Sequence, residues 1–286
     1  SYGRSMHSHQ LGVHLMVWSG RITADEMALF PLISEMGYNG VELPIFDPAA
    51  LDLTAIRQAC LDSGLACTAS TAMTPGLSLI DDDRRTQGVA WLQTVVRAAS
   101  ALGADLLCGP MAVPVGELRG RGFTRQEFDN CVRSLQEVGA VTAAEGVTLA
   151  LEPLNRFETF MLNTVQDGVR LMDAVDQPSV GLLLDTFHMH IEEKSTPDAI
   201  RRAGTHIKHF HCSENDRGAV GSGQVDWTGT FQALADVQYD GWLVVESFNA
   251  VIPELAGATC IWRPLAESPD ALAKESLSFL NSSFNA

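Results

Sequence analysis

Glu152, Asp185, His211 and Glu246 are side chains of the kinds that bind divalent cations, and they stand 33, 26 and 35 residues apart. Each closes a short apolar run in which alternate residues share a face: Thr148, Ala150 and Glu152; Gly181, Leu183 and Asp185; Ile207, His209 and His211; Trp242, Val244 and Glu246. If these runs are strands, each interval holds one strand and one crossover helix, and the four groups meet at the strand ends. Three carboxylates in a closed space repel one another and are driven to protonate unless a cation balances them. Three oxygen donors with one imidazole suit Mn²⁺, Mg²⁺ or Co²⁺, with about two coordination positions left for water or substrate. A lone Glu or Asp at a strand end is often only a helix cap or half of an ion pair. Recurrence at four equivalent positions is what argues for a site.

Other chemistry-bearing residues read more plainly. His209, one layer deeper on the same face as His211, is expected to be a hydrogen-bonded core histidine. His206 and His190 fall at element borders, Cys212 should point outward toward the helices, and Glu42 could either line the mouth or sit in an ion pair.

The elements that must position these groups recur eight times. Apolar, β-rich runs lie near Val13–Val17, Gly40–Leu43, Ala66–Ser70, Asp105–Cys108, Val147–Leu151, Val180–Leu184, Ile207–Phe210 and Trp242–Val245, each followed by a helix-like segment. Thr23 with Glu26 and Thr124 with Glu127 have the spacing of capping boxes, in which side chains satisfy the orphan amides of a helix N-terminus. Thr196-Pro197 and Ser268-Pro269 place a capping hydroxyl before a proline at the first helical position. Strands alternating with helices imply parallel pairing, and eight such units can close into a single (β/α)8 TIM barrel over residues 11–286, with Ser1–Gln10 as a flexible N-terminal segment. No GxGxxG follows the first run, which argues against an open dinucleotide-binding sheet. In a barrel, the C-terminal ends of the strands are where chemistry is done.

Charge narrows the partners. With 35 acidic against 19 basic residues the formal charge is −16, which repels nucleic acid backbones and anionic membranes. The six cysteines contain no CxxC pair and no dense spacing, so reduced thiols in a cytoplasm are expected. No apolar run approaches the roughly 18 residues needed to span a bilayer.

Several segments resemble the ketose 3-epimerases, the D-tagatose, D-allulose (psicose) and L-ribulose 3-epimerases of the wider xylose-isomerase-like barrels. They are Leu151-Glu152-Pro153-Leu154-Asn155-Arg156-Phe157-Glu158, the run from Leu184 to Glu193, His209-Phe210-His211 through Glu214 and Arg217, and Val245-Glu246-Ser247-Phe248. The resemblance extends from the Trp18 strand end to Ile261-Trp262-Arg263. It implies that Glu152, Asp185, His211 and Glu246 bind the metal, typically Mn²⁺, that Glu158, His188 and Arg217 hold sugar hydroxyls, and that the chain is a homodimer or homotetramer. The first half departs from the pattern: Cys67–Met73 and Pro110–Pro114 do not match a substrate pocket residue by residue.

The expected reaction is inversion at C3 of a free ketose. A proton alpha to the C2 carbonyl leaves one face and returns on the other, which two groups on opposite sides accomplish more readily than one. Glu152 and Glu246, from the fifth and eighth strands, are the expected base and acid, passing through an enediolate stabilised by the metal. The closest rival is an aldose–ketose isomerase or a sugar-phosphate epimerase, because the loop Arg217–Gly223 follows strand seven, where many barrels bind phosphate through backbone amides. A metal-dependent endonuclease would need a basic surface, and a non-catalytic sugar-binding protein would not need two carboxylates able to flank one carbon.

Overall fold

The structure, a computed structural model, describes residues 9–250 and 253–284. Of the expected flexible segment, residues 1–8 lie outside the described residues. Eight parallel strands, β1 (Leu11–His14), β2 (Gly40–Pro44), β3 (Ala66–Ser70), β4 (Leu106–Gly109), β5 (Thr148–Leu151), β6 (Val180–Asp185), β7 (Ile207–Cys212) and β8 (Leu243–Val245), pair in sequence order and close β8 onto β1. Helices connect them, which makes a single TIM barrel. No described helix is long and apolar enough to cross a membrane.

Local chemistry sets the helix ends. Both capping boxes form, Thr23 with Glu26 and Thr124 with Glu127, and the second opens the 21-residue helix Arg125–Glu145, which stops at left-handed Gly146 (φ 66°). Ser268 Oγ accepts from the Ala271 amide at 3.0 Å ahead of the helix Pro269–Phe284. At the Thr196-Pro197 step the cap lies one residue earlier than expected. Ser195 accepts from the Asp198 amide, so Thr196 is the first helical residue and Pro197 the second.

Strand β1 also differs from expectation, ending at His14 rather than running to Val17. The His14 ring accepts from the Met16 amide, which turns Leu15–Val17 into a 3₁₀ turn and takes the donor that a strand ladder would have used. In β7 the two-residue alternation breaks. Leu182 pairs with Ile207 but Leu183 with His209, so Lys208 is the extra residue of a bulge. Ile207 therefore joins Leu182 in the core outside the sheet instead of sharing the inner face with His209.

Two apolar layers hold the barrel. The larger lies between sheet and helices, and a smaller plug of Leu106, Cys108, Ala150 and Leu183 fills the interior beneath the mouth. The opposite end is closed by Trp242, whose ring needs Gly40. A Cβ there would fall 2.6 Å from the indole and 2.8 Å from the Ala66 carbonyl. At the mouth, Gly109 (φ 136°) lets β4 pass so close to Thr71 that any Cβ would collide with its carbonyl oxygen.

Candidate active site

The last four strands bring the four sequence-predicted ligands together. Asp185 is the last residue of β6 and caps the helix Thr186–Glu192, with Oδ1 accepting from the Phe187 amide at 2.7 Å. His211 lies inside β7, while Glu152 and Glu246 each stand one residue beyond their strands. All four are buried, and one ligand atom from each lies within 4.8 Å of the others. His211 Nδ1 is 3.2 Å from Glu246 Oε2 and 3.7 Å from Asp185 Oδ2.

Their polar atoms are poorly satisfied. Glu152 Oε2, Asp185 Oδ2 and His211 Nδ1 are buried without a hydrogen-bond partner, whereas buried polar atoms are nearly always bonded. Burial, reinforced by Glu246 and Asp185, pushes the Glu152 carboxyl well above its ordinary range. Burial acts the same way on Glu246, but His211 and Arg217 outweigh it and hold that carboxyl low. Burial disfavours the His211 imidazolium, yet Glu42 and Glu246 prevail and raise it well above its usual value. In the metal-free protein a proton is thus drawn to the place where positive charge is needed. Orphaned oxygens and an orphaned imidazole nitrogen converging on one point fit a divalent cation, and the cluster could hold one.

The three residues expected to hold the sugar lie around the same space. His188 accepts at Nδ1 from the Asn155 backbone amide at 3.0 Å, so in the neutral ring the proton sits on Nε2, which faces Glu152 Oε2 at 3.7 Å. Burial carries the His188 pKa down to about 3, so the ring is a neutral donor aimed into the site. Asn155 also donates to Glu158, whose carboxyl burial raises against the pull of Arg217. Arg217 donates to Glu246 Oε1 at 3.0 Å and Ser213 Oγ at 2.8 Å, and its guanidinium lies 3.7 Å from the Phe187 ring centroid. The Arg217 backbone is left-handed (φ 67°), a costly conformation for a residue with a side chain, and Ser247 Oγ–H pins its carbonyl. Together with His14, Met16, Phe46, Val115, Leu154 and Phe248, these residues line a cavity of about 230 Å³.

His209 is a hydrogen-bonded core residue, Cys212 belongs to the core outside the sheet, His206 pairs with Asp173 at 2.8 Å, and His190 is exposed. All six cysteines are free thiols and all but Cys260 are buried. Glu42 is the residue whose place the sequence left open. It lies below the mouth, hydrogen-bonded to His209 and His211, and does not line the cavity. Burial opposes its ionisation, but the two histidines hold its carboxyl well below the usual range. Asn155, which orients His188, lies in the Leu151–Glu158 segment that carries the resemblance but was assigned no role of its own. The question that finds both is where each site histidine's second nitrogen bonds.

A closed eight-stranded barrel with a cation-compatible cluster and a small cavity at the C-terminal mouth has many relatives. A profile of the xylose isomerase-like TIM barrel family matches residues 30–283. The chain is similar to a probable ketose 3-epimerase of Synechocystis sp., at 35% identity over 277 residues covering 96% of each chain. It is also similar to an L-ribulose 3-epimerase of Mesorhizobium japonicum, at 33% identity covering 95% of this chain and 93% of that one. Among solved structures, D-allulose 3-epimerase from Methylomonas sp. in complex with D-allulose superposes with a TM-score of 0.91 at 30% identity, covering 96% of this chain and 97% of that one. The chain therefore belongs to the xylose isomerase-like TIM barrel family and, within it, to the ketose 3-epimerases.

Proposed function

We propose that the chain epimerises free ketoses of the D-tagatose, D-fructose/D-allulose and L-ribulose type at C3, with Glu152, Asp185, His211 and Glu246 holding a divalent cation, Mn²⁺ foremost and Co²⁺ or Mg²⁺ in its place. The observation that carries this reading is the set of buried, orphaned donor atoms at the mouth of a barrel whose relatives are named ketose 3-epimerases. When bound, the cation supplies Lewis-acid polarisation of the ketose carbonyl and stabilises the enediolate charge. Glu152 and Glu246, on strands three apart around the barrel, remove the C3 proton from one face and return it on the other, exchanging roles for the reverse reaction. The Nε2–H of His188 donates to the oxygen on which charge develops, and Arg217 adds a fixed positive charge beside Glu246. Glu158 accepts from a sugar hydroxyl.

The sugar-phosphate alternative is weakened by the loop after β7. Its amides at Gly218, Val220, Gly221 and Ser222 already donate to Asp216, Ser276, Glu214 and the Ala219 carbonyl. Buried Glu214 also takes the Val225 amide and the Trp227 indole N–H. A loop organised around an internal carboxylate offers few amides to a phosphate. The same reading includes a cytoplasmic homodimer or homotetramer.

The test is turnover of a panel of free ketoses and their phosphates with Mn²⁺ in D₂O. A free five- or six-carbon ketose should give the highest kcat/KM, and its product should carry solvent deuterium at C3. A phosphorylated ketose with the higher kcat/KM would establish the rival substrate. Quantitative retention of the substrate hydrogen would replace the two-base route with a hydride-shift isomerase or a one-base route.

A further inference from the structure

Glu42 is a buried carboxylate with no direct part in the reaction just described. It sits in the middle of β2, opposite His14 of β1 and Thr68 of β3, with no exposed surface. A charge held there needs full compensation, and the barrel provides it. Oε1 lies 2.8 Å from Thr68 Oγ1 and 2.5 Å from His209 Nε2, and Oε2 lies 2.5 Å from His211 Nε2. His14 Nε2 stands 3.7 Å from Oε2, and that nitrogen is 2.8 Å from Ser70 Oγ.

An ionised carboxylate only accepts hydrogen bonds, so His211 must carry a proton on Nε2. Nδ1 is then the single position at which this ring can take up a further proton or a cation. It is the nitrogen that faces Asp185 and Glu246 and has no hydrogen-bond partner. We infer that Glu42 is a positioning residue for the cation site: it fixes the tautomer and orientation of His211 from beneath and makes the imidazole a stronger donor. His209 holds the other carboxylate oxygen at 2.5 Å, which keeps Glu42 turned toward His211, and Thr68 adds a further hydrogen bond to that oxygen. This inference rests on the reading of the mouth as a cation site, and it extends that site one layer into the barrel through a residue on the opposite wall.

Gln is the sharpest replacement. Three donors converge on the two oxygens of Glu42, and a glutamine offers one acceptor and an NH₂ group, so one donor is left facing another donor. Mn²⁺ affinity is measured on metal-free protein by competition with a chromophoric chelator, without sugar, alongside thermal melts with and without metal. E42Q should bind Mn²⁺ roughly 10- to 100-fold more weakly and show a smaller metal-induced rise in melting temperature, as expected when the hydrogen-bond partner of a ligating histidine is lost. T68V removes a donor from Glu42 without touching His211 and should stay within about threefold of wild type. A purely structural role would lower the melting temperature with and without metal alike and leave affinity intact. Folded E42Q with affinity within about threefold of wild type, or an equal loss in T68V, overturns the inference. Should E42Q not fold, E42D, which keeps the charge but falls one methylene short, is judged by the same criterion. Wild-type protein that binds no Mn²⁺ would instead overturn the cation site itself, and wild-type protein that binds Mn²⁺ but leaves ketoses unchanged would overturn only the proposed reaction.

Discussion

Two clusters of charged side chains in this molecule use the same residue types to opposite ends. On the flank of the barrel, Asp81, Glu117 and Glu127 interlock with Arg84, Arg119 and Arg121. Arg119 alone reaches Asp81 at 2.8 Å, Glu117 at 2.9 Å and Glu127 at 2.5 Å. Three acids meet three bases, all the side chains but that of Glu127 are partly open to solvent, and none of their atoms is a buried orphan among the described residues. At the mouth, three carboxylates meet one histidine and one arginine, all buried, and three atoms are left without a hydrogen-bond partner. The flank cluster is complete as it stands and fastens the segment around Glu117 to the helix Arg125–Glu145. The mouth cluster leaves buried donor atoms unsatisfied, and that incompleteness is the ground on which we propose it as the cation site.

The largest effect should separate the clusters outright. Chelation should abolish epimerisation, with Mn²⁺ or Co²⁺ restoring it. Glu152→Gln or Glu246→Gln should lower kcat/KM by roughly 10²–10⁴-fold with metal content verified, because each keeps an oxygen but loses the ability to accept a proton. Glu152→Gln should not destabilise the metal-free fold, since it removes a charge that burial, Glu246 and Asp185 oppose, whereas Glu246→Gln also takes a charged partner from buried Arg217 and His211 and should lower stability. Activity at the wild-type rate in either mutant, or in protein shown by elemental analysis to be metal-free, would erase the distinction between the clusters.

The contrast also explains what could be read from the chain alone. Glu152, Asp185, His211 and Glu246 each end a strand, and a strand's period and the length of one βα unit are local properties, so their convergence was legible. The capping boxes at Thr23 and Thr124 were legible for the same reason, since each is closed within four residues. Glu42 was not, because its partners His209 and His211 lie 167 and 169 residues away across the barrel. The bulge at Lys208 was hidden as well. It arises from the register between β6 and β7, which depends on how two distant segments pack and not on either composition. The glycine-rich stretch after Arg217 looked like an anion loop, and only the fold shows that Glu214 has already taken its amides.

A smaller effect belongs to the flank. Arg119→Ala removes the cation shared by all three acids and should cost about 1–2 kcal/mol of stability, a few degrees in melting temperature. Because no flank atom borders the cavity, kcat/KM should stay within about twofold of wild type. A tenfold fall in kcat/KM with little change in stability would mean that the two clusters communicate.

The smallest effect is acid sensitivity, and its sign follows from Glu127. Hydrogen bonding to Arg121 holds this carboxyl at about 2 against an ordinary value of 4.5, with the Thr124 amide assisting and burial opposing. A carboxyl depressed in the folded state contributes stability that is fully present above the unfolded value and is lost as pH falls through the folded one. The window here is therefore pH 4.5 down to about 2. Arg119 and Arg121 are partly solvated, so screening should keep the contribution below about 1 kcal/mol and shrink it further in salt. Glu127→Gln isolates this contribution, because the amide oxygen can still accept from Thr124 while the charge is gone. Denaturant unfolding of wild type and E127Q should show wild type more stable at pH 7, with the gap closing as the pH approaches 2. No gap, or a gap that stays constant over that range, would mean that the charge on Glu127 does not stabilise the fold, and the flank cluster would then not owe its stability to paired charges.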